Sequence, residues 1–106
     1  MELATWYVTC YNDTMIVNIE HKGLADLFWK DLSKGVMQSQ VKRLKQILST
    51  LEDAKTVDDM NLPGLKLHAH KGNKSGFYAV SVSGNWRVIF RFADGNAYDV
   101  NLVDYH

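Results

Sequence analysis

From Leu65 to Val103 the chain is written in short alternating runs separated by turn residues, and that pattern leaves few folds open. Leu65 to Lys71 alternates and Gly72-Asn73-Lys74-Ser75-Gly76 turns. Phe77 to Ser83 is a second run, and Gly84-Asn85 leads into Trp86-Arg87-Val88-Ile89-Phe90-Arg91-Phe92. Asp94-Gly95-Asn96 is a strong hairpin signal ahead of Ala97 to Val103. Strands joined by such short turns pair with their sequence neighbours, so this half reads as an antiparallel meander.

The preceding half has a different period. Met15 opens a strand-like Ile16-Val17-Asn18-Ile19-Glu20. Leu24, Leu27, Phe28 and Leu32 then recur at helical spacing, and Gly35 ends the run. A second helix carries Val41, Leu44, Ile47, Leu48 and Leu51 on one face, with Lys42, Arg43, Lys45 and Gln46 on the other. The short link after Gly35 makes the two an antiparallel helical hairpin, and Thr56 to Gly64, with the only proline, Pro63, connects them to the strands. The expected architecture is α+β: an N-terminal strand, a two-helix hairpin, then an antiparallel strand meander packed beneath the helices. A chain of 106 residues fits one small domain. We assign 15–106 to it and 1–14 to an N-terminal extension, with Met1 or Met15 as the start.

No apolar run approaches the ~20 residues of a membrane span, and no basic stretch followed by an apolar one marks a secretory signal. The single cysteine, Cys10, leaves no internal disulfide and no metal-ligand spacing. A cytoplasmic location is the expectation. Net charge is zero, with 12 basic and 12 acidic residues, but its distribution is uneven. Between Met60 and Ala93 there is no acid, while Lys66, Lys71, Lys74, Arg87 and Arg91 fall in that window. Attraction for phosphate depends on such a local field, not on the total.

Residues two apart on a strand share a face. His68 and His70 should therefore point with Lys66, while Leu65, Leu67 and Ala69 turn to the core. Trp86, Val88, Phe90 and Phe92 share one face of their strand, with Arg87, Ile89 and Arg91 on the other, near the histidines. The chain then closes on Asp104-Tyr105-His106. If the last strand persists, Asp104 and His106 fall on one face and Tyr105 on the other. Cleaving RNA without a metal needs a base for the ribose 2′-OH, an acid for the departing 5′-oxygen, and cations around the phosphorane. Histidine suits the first two roles at neutral pH, and a planar guanidinium such as that of Arg87 suits the third. The same residues admit other readings. The histidines could be solvated, the arginines paired with acids such as Asp99, and the last three residues a tail. His68, His70, Asp104 and His106 are also legitimate zinc ligand types.

Read in order, these motifs are specific. Met15-Ile16, His21-Lys22-Gly23-Leu24, Leu67-His68-x-x-Lys71-Gly72, Gly76, Gly84-Asn85-Trp86-Arg87-Val88, Gly95-x-Ala97 and the closing Asp104-Tyr105-His106 resemble the HigB toxins of the RelE/ParE superfamily, also called plasmid maintenance system killer proteins. The resemblance runs from Met15 to His106. It implies a RelE-like fold and the toxin of a type II toxin–antitoxin pair. Such a toxin enters the ribosomal A site and cuts translated mRNA by metal-independent 2′-OH attack, with no cofactor. A HigA-like helix-turn-helix antitoxin neutralises it and brings it to operator DNA. Carried over residue by residue, the resemblance makes His68, Asp104, Tyr105 and His106 catalytic and sets Lys71 and Arg87 against RNA. Lys66, Lys74 and Arg91 extend that basic surface. His70 and Tyr78 depart from the family pattern, which commonly has an aliphatic residue and a tryptophan there. The alternatives are a ParE-like toxin that binds gyrase and cuts nothing, or a regulatory protein acting only through its antitoxin.

Overall fold

The computed structural model describes residues 15–69 and 76–104. Its elements are β1 (Met15–Ile16), α1 (Lys22–Lys30), α2 (Val41–Asp53), β2 (His68–Ala69), β3 (Phe77–Ser83), β4 (Trp86–Ala93) and β5 (Asn96–Asp104). Single 3-10 turns at Gln38–Gln40 and Val57–Met60 flank α2. The sheet order is β1-β5-β4-β3-β2. β2 to β5 form the expected antiparallel meander, and β1 adds a parallel strand beside β5. The α+β architecture with its two-helix hairpin is as the sequence predicts. No helix among the described residues is long and apolar enough to cross a membrane.

The turns follow from their residues. Asp94 and Gly95 both take positive φ, at 54° and 79°, as a two-residue type I′ hairpin turn requires. Gly84 supplies the positive φ, 53°, between β3 and β4. Helix α2 buries Leu44, Ile47, Leu48 and Leu51. These meet Leu24 and Leu27 of α1 and the inward row Val80, Val88, Phe90, Ala97, Val100 and Leu102 in one core. Phe90 is fully buried and stacks on Tyr78 at a centroid distance of 6.1 Å.

Helix α1 is shorter than its apolar spacing suggests. Asp31 adopts a left-handed conformation, and it and Leu32 both donate their N–H to the Asp26 carbonyl. The helix therefore stops before Leu32, which stays exposed, and Gly35 is not its terminator. Gly35 instead packs backbone to backbone against Gly23 of α1. The strand expected over Leu65 to Lys71 is also reduced. Lys66 has φ of 53°, which breaks the alternation, so regular pairing begins at His68 and Ala69 is exposed, not in the core.

In β5 the inward residues are Ala97, Val100 and Leu102, so one extra residue lies between the first two. Asp99 absorbs it with φ of 54°, and the register against β4 shifts between Ile89 and Arg91. Asn18 holds the bulge: its Nδ2 donates to Asp99 Oδ1 at 2.9 Å, and its Oδ1 accepts from the Asp99 N–H at 3.0 Å.

The connector into the sheet is capped by Asp59, whose Oδ2 accepts from the N–H groups of Lys55 (2.8 Å) and Thr56 (3.2 Å). Those backbone N–H bonds hold its pKa below the usual carboxylate value. A carboxyl whose pKa is depressed on folding adds stability above its unfolded pKa, lost as pH falls through the folded one. Thermal melts of wild type and Asp59→Ala should thus differ at neutral pH and converge in acid.

Candidate functional site

The side of the sheet away from the helices carries three cross-strand rows. The first is Ser81, Arg87 and Val103, the second His68, Ala79, Ile89 and Asn101, and the third Phe77, Arg91 and Tyr98. His68 thus shares a face with both arginines, as the alternation argument expects. On ideal sheet spacings His68 and Arg87 are roughly 12 Å apart at Cα, two strands over and one same-face step along.

His68 is exposed, and its Nδ1 lies 2.8 Å from the Lys66 carbonyl oxygen. A carbonyl only accepts, so Nδ1 carries the proton and Nε2 of the neutral ring is left as the basic nitrogen. That carbonyl is in place because Lys66 is left-handed. Lys66 therefore reaches the site by its main chain, a contribution that sequence reasoning missed; a lysine gives no signal of positive φ.

Arg87 Nη1 donates to the carbonyls of Gly84 (2.8 Å) and Trp86 (3.0 Å), which ties the guanidinium to the β3–β4 turn. Its Nε and Nη2 make no hydrogen bond or ion pair with the described residues, so the fixed fork still presents donors to an anion. Arg91 is differently committed. Its Nε lies 3.5 Å from Asp99 Oδ2, and its guanidinium sits 4.3 Å from the centre of the Tyr98 ring. The acidic cross-strand partner anticipated for the arginines thus exists for Arg91, and part of its charge is already answered.

Asp104 pairs with Trp86 across β4 and β5. It follows Leu102 by two residues and so faces the helix side, opposite His68 and Arg87. Tyr105, His106, His70, Lys71 and Lys74 lie outside the described residues. Among the described residues, no three His, Cys, Asp or Glu side chains converge in a way that could hold a metal ion.

Residues 17–106 match the family model for the RelE-like toxin of type II toxin–antitoxin system HigB. The chain is also similar to the Endoribonuclease HigB of Proteus vulgaris, 38% identical over 92 residues that span 87% of this chain and all of that protein. The match holds across helices, meander and ending alike, and the chain belongs to the RelE-like HigB toxins of type II toxin–antitoxin systems.

Proposed function

We propose that this HigB-type endoribonuclease cuts translated mRNA in the ribosomal A site by 2′-OH attack on the adjacent phosphate, without a metal ion. The observation that carries the reading is His68. It is exposed, shares a sheet face with Arg87, and is held by the Lys66 carbonyl in the tautomer with a free basic Nε2. In the step, Nε2 takes the proton of the 2′-OH and the 2′-oxygen bonds to phosphorus. The bond from phosphorus to the 5′-oxygen breaks, and an acid returns a proton to that oxygen. The products are a 2′,3′-cyclic phosphate and a 5′-OH.

His106 or Tyr105 supplies the acid. Asp104 faces away from His68, so it orients the terminal residues and not the base. Arg87 and Lys71 neutralise the phosphorane, Lys66 and Lys74 contribute positive potential, and Arg91 contributes least because Asp99 answers it. The partner that restrains the toxin in the cytoplasm is a HigA-like helix-turn-helix antitoxin, and operator DNA is reached only through it.

The test is end analysis of mRNA cut in a reconstituted translation mixture, beside the same RNA without ribosomes. Cyclic phosphate and 5′-OH ends, formed only with ribosomes, are expected. Ends bearing 3′-OH and 5′-phosphate would overturn the mechanism, and equal cutting of free RNA would overturn the ribosome requirement.

A further inference from the structure

Arg87 and Arg91 lie on one strand, β4, and the row of His68 runs between them on the same face of the sheet. On ideal strand spacings each is roughly 12 Å from His68 at Cα, one on either side. The two arginines are held differently. Arg87 keeps its Nε and Nη2 donors unbonded among the described residues, as a phosphate clamp needs. The Nε of Arg91 lies 3.5 Å from Asp99 Oδ2, so its charge is answered before any RNA arrives. The same carboxylate repels an approaching phosphate. Arg91 is thus a poor second clamp, and its geometry points to another use.

What Arg91 offers is a flat surface. Its guanidinium sits 4.3 Å from the centre of the Tyr98 ring, which supports one side of the plane. The side chain is still 41% exposed. Asp99 fixes the other end, and Asn18 fixes Asp99 through two hydrogen bonds of 2.9 and 3.0 Å. The bulge in β5 makes this possible: Tyr98, just before it, pairs with Arg91, and Asp99 at positive φ brings its carboxylate to the guanidinium. A long side chain that ligands usually have to order is therefore already ordered in the folded chain. Phe77 extends the same row onto β3. Guanidinium planes and aromatic rings are the surfaces on which unpaired RNA bases stack.

We propose that Arg91 and Tyr98 form a stacking platform for one unpaired nucleotide of the substrate RNA, on the side of His68 away from Arg87. Arg87 holds the phosphate, and the platform holds a nucleotide further along the strand by its ring face. It does so whatever the base, because every base has a π-face. The position of the platform relative to the cut rests on the reading of His68 and Arg87 as the place of cleavage; the platform itself rests on the stacked pair.

The experiment has a binding arm and a cleavage arm. Short single-stranded oligomers of uridine and of adenosine, made uncleavable with 2′-deoxy sugars, are titrated into the full chain and followed by the Tyr98 ring and Arg91 Nε–H signals in NMR. Both oligomers should move both signals. Tyr98→Leu and Arg91→Lys should each weaken binding about tenfold, the order of one lost base stack. Lysine keeps the positive charge and loses the plane, so Arg91→Lys tells stacking from simple attraction. Tyr98→Phe, which retains the ring, should recover what Tyr98→Leu loses. In ribosomal cleavage, an abasic nucleotide is placed at successive positions around the cut. At one position it should slow the wild type about tenfold and Tyr98→Leu hardly further, since both remove the same contact.

Unmoved Tyr98 and Arg91 signals would overturn the platform, as would Arg91→Lys that binds and cuts like wild type. Binding of only one of the two oligomers would overturn its tolerance of sequence. Abasic and Tyr98→Leu effects that multiply at every position would overturn the substrate nucleotide as occupant and leave ribosomal RNA in its place. If Tyr98→Leu fails to fold, Arg91→Lys and the wild-type signals decide the matter. His68→Ala should bind both oligomers as wild type does, so a failure of the catalytic reading would show in cleavage and leave the binding arm intact.

Discussion

Replacing His68 with alanine should lower single-turnover mRNA cleavage by roughly 10²–10⁴-fold, the range for removing a general base. The fold should not change, because the side chain is exposed and its bond in the structure is to a main-chain oxygen. Surface substitutions of this kind usually alter stability by no more than about 0.5 kcal/mol. Lys66→Gly is the informative companion. Glycine adopts positive φ freely and keeps the carbonyl that fixes the His68 tautomer. It removes only the side chain with its ammonium, so cleavage should fall far less than with His68→Ala. A 2′-deoxy nucleotide at the cut site should stop cleavage by every variant, since no nucleophile remains. Should His68→Ala cut within a few-fold of wild type, the base lies elsewhere, and His68 is only an exposed side chain at the end of its cross-strand row.

The parts of this molecule legible in the sequence are those set by local rules. Asp94-Gly95 dictates its hairpin because both residues tolerate positive φ. Leu44, Ile47, Leu48 and Leu51 mark the buried face of α2 by spacing alone. The alternation that sends Arg87 and Arg91 to the face of His68 is equally local. What escapes is nonlocal or turns on residues with no special propensity. β1 pairs in parallel with β5, far along the chain, and nothing in Met15-Ile16 points to that partner.

The bulge at Asp99 has the larger consequence for the site. One extra residue in a strand inverts the facing of everything after it. Were β5 a regular strand with strict alternation from Ala97 and no bulge, Asp104 would lie on the face opposite Ala97, with His68 and Arg87. With the bulge, Asp104 faces the helices beside Trp86. The residue types of the candidate site can thus be read from the sequence, whereas the sides they occupy cannot. Gln40 is equally hidden: within Gln38-Ser39-Gln40 it looks solvated, yet it is buried.

Gly23→Ala should destabilise the protein by about 3 kcal/mol or more, at the upper end of overpacking costs. A Cβ built on Gly23 would lie 2.1 Å from the Gly35 carbonyl oxygen and 2.6 Å from its carbon. Both are main-chain atoms, so no rotamer change relieves the contact. Either α1 or the connector must move. Melting temperature should fall by at least about 10 °C, given the ~4–8 °C per kcal/mol of small domains. Gly35→Ala should act similarly, since its Cβ would lie 2.6 Å from the Gly23 Cα. The double variant should cost clearly less than the sum, because one separation of the two backbones relieves both contacts. Gly76→Ala separates this effect from backbone conformation. Gly76 has φ of 87°, and a Cβ there would meet nothing within 4 Å among the described residues, so its cost should be only about 1 kcal/mol. A Gly23→Ala protein melting within a few degrees of wild type would mean that the two segments are not held in contact.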